Sequence, residues 1–87
     1  MDAAHVCEKF RILAPTIIHK DILTYSYPKS YIKKTLIIGV TNGAFAQVII
    51  SKKAELMKGI NNALGKPAVA TIRTALVEEV KTSEFLA

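Results

Sequence analysis

Lysines that lie beside tyrosines are the residues of this sequence best suited to chemistry, and that chemistry is the binding of a polyanion. Six such residues follow one another within a short segment: Tyr25, Tyr27, Lys29, Tyr31, Lys33 and Lys34. Ammonium groups contact phosphates, and aromatic rings stack on unpaired bases. The segment therefore predicts contact with single-stranded nucleic acid, with Tyr25 and Tyr27 as the stacking residues. The alternative is that the tyrosines pack against the core with only their hydroxyls in water.

A second group of basic residues lies further along the chain. Lys52 and Lys53 are adjacent, and as point charges they would add salt-sensitive, sequence-independent affinity for phosphates. The alternative is a solvated loop that happens to be basic. Arg73 lies inside a predicted strand, so it either joins the basic surface or pairs with Glu78 or Glu79.

Residues that could support catalysis or bind a metal do not form a recognisable set. His5 lies near Cys7 and Glu8, but His19 is distant in sequence and no Cys pair is present, so we predict no metal site. We expect Cys7 to be a buried thiol. The sequence contains no Gly-Lys-Ser/Thr phosphate loop. We therefore predict a protein that is not an enzyme and has no cofactor.

Charge is unevenly distributed along the 87 residues, whose net charge is +5. Residues 1–76 contain 11 Lys and Arg against 4 Asp and Glu, whereas residues 77–87 contain one Lys against three Glu. We interpret this as one domain over residues 1–77 and an acidic tail over 78–87. A basic domain suggests a polyanionic partner. Alternatively, the net charge merely keeps an apolar domain in solution.

The single cysteine suits a reducing compartment. The amino-terminal residues are charged and carry no apolar run, so we do not expect a signal peptide. No stretch approaches the ~20 apolar residues of a membrane span. We therefore predict a cytoplasmic location without membrane contact.

Apolar spacing predicts a first helix over residues 3–20, with Asp2 as its cap. Pro15 lies inside this pattern and predicts a kink or break near Ala14. The expected buried stripe is Val6, Phe10, Leu13 and Ile17.

Two strands are predicted next. Residues 22–27 alternate between apolar and polar side chains, residues 28–30 resemble a loop, and residues 35–41 form the strongest strand candidate. Three residues of this second strand are expected to point inward: Leu36, Ile38 and Val40.

Helical character returns from Gly43 to Leu64, after a cap at Asn42 or Thr41. One straight helix would place Lys53 within its apolar sector, where a charge must be paired or must reach water. A break at residues 51–53 removes this conflict, so we predict helices over 43–50 and 54–64.

Gly65 and Pro67 are expected to stop the second of these helices, and residues 68–77 predict a third strand. The order is helix, strand, strand, helix, helix, strand, with helices on one face of a three-stranded sheet. We therefore predict an α+β fold whose order resembles that of the type II KH fold.

A more specific resemblance is carried by residues 42–65 (NGAFAQVIISKKAELMKGINNALG), which are similar without gaps to the signature stretch of the bacterial DciA family. The shared steps here are Phe45-Ala46-Gln47, Glu55-Leu56-Met57 and Ile60-Asn61-Asn62-Ala63-Leu64-Gly65. Upstream, residues 10–15 resemble the family's aromatic-x-x-Val-Gly-Pro step, and downstream, residues 69–73 resemble its final strand. Phe10 and Phe45 stand where the family has Trp.

The resemblance implies an accessory of the DnaB-type replicative helicase that binds single-stranded or tailed DNA and is not an ATPase. Val48 and Ile50 are apolar where the family is usually polar, so we predict that they mark a partner or homodimer surface. Residues 50–53 lack the Gly-x-x-Gly of RNA-binding KH loops, which favours contact with the DNA backbone. The alternatives are an RNA- or ribosome-associated KH-like factor and a protein-interaction module that binds no nucleic acid.

Overall fold

The computed structural model describes residues 3–79, which form an α+β fold with one three-stranded sheet. In chain order the elements are α1 (Ala3–Ile17), α2 (Ile22–Tyr25), β1 (Ser26–Ile32), β2 (Thr35–Val40), α3 (Gly43–Ser51), α4 (Lys53–Leu64) and β3 (Thr71–Leu76). The α+β class is as predicted. The cap predicted at Asp2 and most of the tail, residues 80–87, lie outside the described residues.

The sheet is mixed, and β2 is its central strand. β1 pairs with β2 antiparallel, and β3 pairs with β2 parallel. A parallel neighbour requires a connection that returns to the starting end of the sheet. Helices α3 and α4 supply that connection.

The core lies between one face of the sheet and the helices. The three inward residues of β2, Leu36, Ile38 and Val40, are completely buried, as their alternation predicts. Val6 and Phe10 of α1 are also completely buried, whereas Leu13 and Ile17 are partly buried and pack against the core. The opposite face of the sheet carries the exposed Ile32 and Arg73.

Helix α1 continues through Pro15, so the break predicted near Ala14 does not occur. Proline lacks an N–H and cannot bond to the carbonyl four residues earlier. The helix ends only two residues later at Ile17, so little of it lies beyond the missing bond. The amide of Ile18 still donates to the Ala14 carbonyl at 2.8 Å.

The first strand was predicted too early. Residues 22–25 form the short helix α2, because the amides of Ile22 and Thr24 bond to His19 and Asp21. The buried Ser26 hydroxyl then donates to the Ile22 carbonyl at 2.8 Å and closes this turn.

The predicted loop over residues 28–30 is instead part of β1. Pro28 is tolerated because β1 is an edge strand, and the pairing register shifts between Pro28 and Ser30. The shift leaves Lys29 as the extra residue of a bulge.

The helical region divides as predicted, into α3 and α4. Asn42 caps α3, because its Oδ1 accepts the Phe45 amide at 3.1 Å. Gly65 ends α4 in the left-handed region, with φ of 71°. Within residues 3–79, no helix is both long and apolar enough to cross a membrane.

Gly39 lies on the sheet face opposite the helices, where its lack of a side chain allows the Tyr27 ring to pack against the backbone. A Cβ at this position would lie 2.7 Å from Cε1 of Tyr27 and 3.2 Å from Cγ1 of Val77. We expect Gly39→Ala to destabilise the fold by about 1–3 kcal/mol, which thermal unfolding followed by circular dichroism would measure. Gly43→Ala is the control, since nothing lies within 4 Å of a Cβ there. Equal melting temperatures of the two variants would contradict the close packing of Tyr27.

Candidate nucleic-acid interface

Lys33 and Lys34 form the two-residue turn between β1 and β2, here called the lysine turn. Both have positive φ, 49° and 63°, as the hairpin turn that matches strand twist requires. Glycine and asparagine adopt this conformation readily, whereas other residues lose about 1–2 kcal/mol each in it. Both side chains are exposed. Within residues 3–79 neither lysine forms an ion pair.

The lysine turn is held by the segment that precedes β3, residues 65–70, here called the anchor loop. The amides of Ala70 and Thr71 both donate to the Lys34 carbonyl, at 2.8 and 3.3 Å. The turn is therefore bonded to the start of β3 as well as to its own hairpin.

The anchor loop is itself fixed by two side chains. Asn61 of α4 accepts the Val69 amide at 2.8 Å and donates to the Val69 carbonyl at 3.1 Å. The Tyr31 hydroxyl of β1 donates to the Ala68 carbonyl. The lysine turn thus rests on a loop connected to both β1 and α4.

The basic corner, residues 51–53, lies between α3 and α4. Lys52 and Lys53 are adjacent there, but Lys52 Nζ lies 3.7 Å from Glu55 Oε1. This largely exposed pair adds at most ~1 kcal/mol of stability. It nevertheless places a carboxylate next to the Lys52 ammonium group. The basic corner is therefore less positive than the lysine turn.

The structure separates the two lysine pairs. The lysine turn contacts the loop that leaves the carboxyl end of α4, whereas the basic corner lies at the amino end of α4. A 12-residue helix is about 18 Å long. The two pairs therefore form distinct positive sites.

Lys29 and Arg73 have different surroundings. Lys29 lines a shallow pocket with Tyr27 and two acidic residues, Glu78 and Glu79. Arg73 is exposed beside Ile37 in the strand register. In the described part of the chain Arg73 forms no ion pair with either glutamate.

The two predicted stacking tyrosines occupy different environments. Tyr27 is 6% exposed, and its ring packs across Gly39. Tyr25 is 40% exposed and stacks on Phe45, with ring centroids 4.4 Å apart and planes 9° from parallel. Tyr25 thus presents an accessible ring, and Tyr27 does not.

Tyr25 and Phe45 line an apolar groove where the turn after α1 and the helix α2 meet α3. The groove, here called the aromatic groove, is lined by Ile18, His19, Asp21, Ile22, Tyr25, Phe45 and Val48. Periodicity could not identify it, because its residues come from two segments, 18–25 and 45–48, that are distant in sequence.

Val48 and Ile50, the predicted partner surface, are 40% and 39% exposed. They lie two residues apart on α3, so about 200° separates their directions around the helix. Val48 lines the aromatic groove and Ile50 does not. The two residues therefore do not form one continuous patch.

Lys66 is a further basic residue of the anchor loop, and the sequence motifs did not indicate it as a site residue. It is exposed in the anchor loop, and its amide donates to Asn61 at 3.1 Å. A signal was available in the sequence. The predicted helices between the second and third strands imply that these strands are parallel, and the loop before the third strand must then reach the start of the second.

The described residues offer no cluster for a metal ion. Within residues 3–79 no group of three or more His, Cys, Asp or Glu side chains is placed to hold one. Cys7 is buried, as expected.

Comparison with models of protein families matches residues 8–74 to the family described as "Dna[CI] antecedent, DciA". The matched segment begins in α1 and ends in β3. It therefore includes the lysine turn, the basic corner and the aromatic groove. None of the curated proteins compared matches the chain. The family match confirms the resemblance that the sequence motifs predicted.

The conformation of the lysine turn predicts that its lysines reduce stability. We expect the double variant Lys33→Asn/Lys34→Gly to be more stable by about 2 kcal/mol, because both residues suit positive φ. This corresponds to a melting temperature higher by roughly 8–16 °C in a domain of this size. The control Lys33→Ala/Lys34→Ala removes the same charges but introduces alanines, which disfavour positive φ as the lysines do. Equal melting temperatures of the two double variants would contradict the prediction.

Proposed function

The chain belongs to the DciA family, and from that membership we propose that it is a replication accessory that contacts both DNA and the DnaB-type helicase. The family is associated with loading of this helicase and is not known for enzymatic activity. The finer proposal is that the chain binds DNA without sequence specificity, through exposed lysines.

The proposed fold relationship is to the type II KH domains. Two features support it: the order of the elements, apart from the additional short α2, and a parallel pair of strands connected by two helices. In that relationship residues 50–53 (Ile-Ser-Lys-Lys) would correspond to the backbone-clamping loop, and they contain two lysines and no glycine. Point charges contact phosphates without the close backbone approach that glycine allows, so this difference favours non-specific binding.

The observation that carries the DNA-binding proposal is the lysine turn. Two adjacent lysines occupy a conformation that disfavours them, and both are exposed without ion pairs among the described residues. Positions that break a local rule of structure are often functional. Lys66 adds a third ammonium group from the neighbouring anchor loop. Phosphate binding would explain why two lysines occupy a turn in which Asn-Gly would give a more stable fold.

The first test reverses the charge of the lysine turn. We expect Lys33→Glu/Lys34→Glu to weaken binding to single-stranded DNA, because phosphate contacts are lost. The slope of log affinity against log salt should fall by roughly 0.7 for each lost contact, measured by fluorescence anisotropy over a salt titration. Lys9→Glu/Lys58→Glu is the matched control, with the same change in net charge on α1 and α4.

The basic corner is tested in parallel with Lys52→Glu/Lys53→Glu. We expect a smaller loss of affinity, because Glu55 already reduces the positive charge there. Unchanged affinity and slope in both lysine variants would contradict the proposed interface. Competition between single-stranded DNA and structured RNA distinguishes the replication accessory from an RNA-binding factor.

Contact with the helicase is tested on α3, where Val48 and Ile50 point to different sides of the helix. We expect only one of the two variants Val48→Asp and Ile50→Asp to abolish co-purification with the DnaB-type helicase at high salt, because one flat partner surface reaches one side of α3. Retention of both variants would exclude both residues from the helicase contact. Loss of binding in both would require a partner that wraps around α3.

A further inference from the structure

The aromatic groove has the composition of a site for a planar ring. It has a volume of about 410 Å³, near the lower end of the ~300–1,000 Å³ of small-molecule sites. Ile22 at its base is 2% exposed, and Ile18 and Val48 add aliphatic walls. Tyr25 and Phe45 supply aromatic surface on the same lining.

The stacking of Tyr25 on Phe45 leaves one ring face available. Phe45 covers one face of the Tyr25 ring, with centroids 4.4 Å apart and nearly parallel planes. Tyr25 nevertheless remains 40% exposed and lines the groove, so part of its surface that Phe45 does not cover is accessible there. A third ring placed there would extend an existing stack, which is how aromatic side chains hold unpaired bases.

The rim of the groove carries a hydrogen-bond donor and an acceptor. His19 Nδ1 accepts the backbone amide of Asp21 at 3.1 Å, which leaves Nε2 as the ring nitrogen available for a further hydrogen bond. The Asp21 carboxylate is an acceptor. Together they offer complementary groups to the edge of a base, whose ring nitrogens, amines and carbonyls alternate in the same way.

The charge next to the groove suits the backbone of a nucleic acid. Lys20 is exposed and lies between His19 and Asp21 in the chain, so it can neutralise a phosphate attached to a base in the groove. We propose that the aromatic groove holds one unpaired nucleobase of a single strand, with the outer face of Tyr25 as its stacking surface. This inference rests on the DNA binding proposed above and adds a base-binding position to its backbone contacts.

A base fits the groove better than a protein segment does. An amphipathic helix docks through anchors three and four residues apart and needs an extended apolar groove to receive them. The exposed apolar residues of α3 point to different sides of the helix, so they do not extend the aromatic groove. The wall formed by stacked aromatic rings and the polar rim are both features of single-strand recognition.

The experiment compares two labelled single strands of about 12 nucleotides, within the usual site sizes for single-strand binding. One has mixed sequence, and the other has the same backbone with abasic residues. We expect the full chain to prefer the base-bearing strand by roughly 5- to 150-fold, the factor that base–aromatic stacking supplies. Tyr25→Ala should remove this preference without changing affinity for the abasic strand. Tyr25→Phe should retain it.

Two further variants keep the test decisive. Val48→Gln leaves the aromatic stack intact and places a polar side chain on the groove, so it too should reduce the preference. Ile12→Ala is the control, at an exposed residue of α1 that does not line the groove, and it should bind both strands like the unmodified chain. The melting temperature of each variant shows whether the fold is retained.

Each alternative outcome has a distinct meaning. Equal affinity of the unmodified chain for both strands would overturn the groove assignment but leave the lysine-dependent DNA binding in place. Binding to neither strand would overturn the proposed DNA binding itself. If NMR signals of Tyr25 and Val48 shift with protein concentration in the absence of DNA, the groove binds a second copy and the inference fails. Protection of these residues by the helicase alone, together with equal affinity for the two strands, would assign the groove to that partner instead.

Discussion

The two hydrogen bonds accepted by the Lys34 carbonyl are the constraint on which the rest of the interface depends. β3 is parallel to β2, so the chain must return through the anchor loop to the end of the sheet where β2 begins. The amides of Ala70 and Thr71 complete that return by bonding to Lys34. Asn61 holds the same loop to α4 through both polar groups of Val69. Together, the bonds to Lys34 and the bonds from Asn61 align β3 with β2, end the connection through α3 and α4, and hold the lysine turn in place.

Regular patterns in the sequence predicted the elements whose burial follows a simple period. The alternating residues of β2 are all buried, and the charge of Lys53 correctly indicated two helices rather than one. The prediction failed where a local side-chain hydrogen bond or the pairing of strands outweighed the pattern. Residues 22–25 alternate like a strand, but the Ser26 hydroxyl closes them into a helical turn that buries Ile22. Pro28 suggested a loop because proline is rare inside strands. That β1 is an edge strand with a bulge beside Pro28 is evident only from the strand pairing.

The candidate site was predictable in residue type but not in arrangement. Clustered lysines and tyrosines pointed to polyanion binding, yet the sheet directs Tyr27 onto Gly39 and α2 directs Tyr25 onto Phe45. Neighbours in sequence therefore take up different roles. Conversely, Lys66 lies in the anchor loop, which reaches the lysine turn only through the parallel return of β3. Non-local pairing decides such groupings, and local periodicity contains no information about it.

β1 relates the two proposed contacts to each other. Tyr25 immediately precedes this strand, and the lysine turn immediately follows it. At about 3.3 Å per residue, the eight steps from Tyr25 to Lys33 span roughly 25 Å. A single strand that places one base on Tyr25 and a phosphate on the lysine turn would therefore cover several nucleotides, comparable with the roughly 4–16 of a small single-strand binding fold. Because β1 is paired to β2 along the whole distance between the two sites, the fold itself determines the length of nucleic acid that can use both.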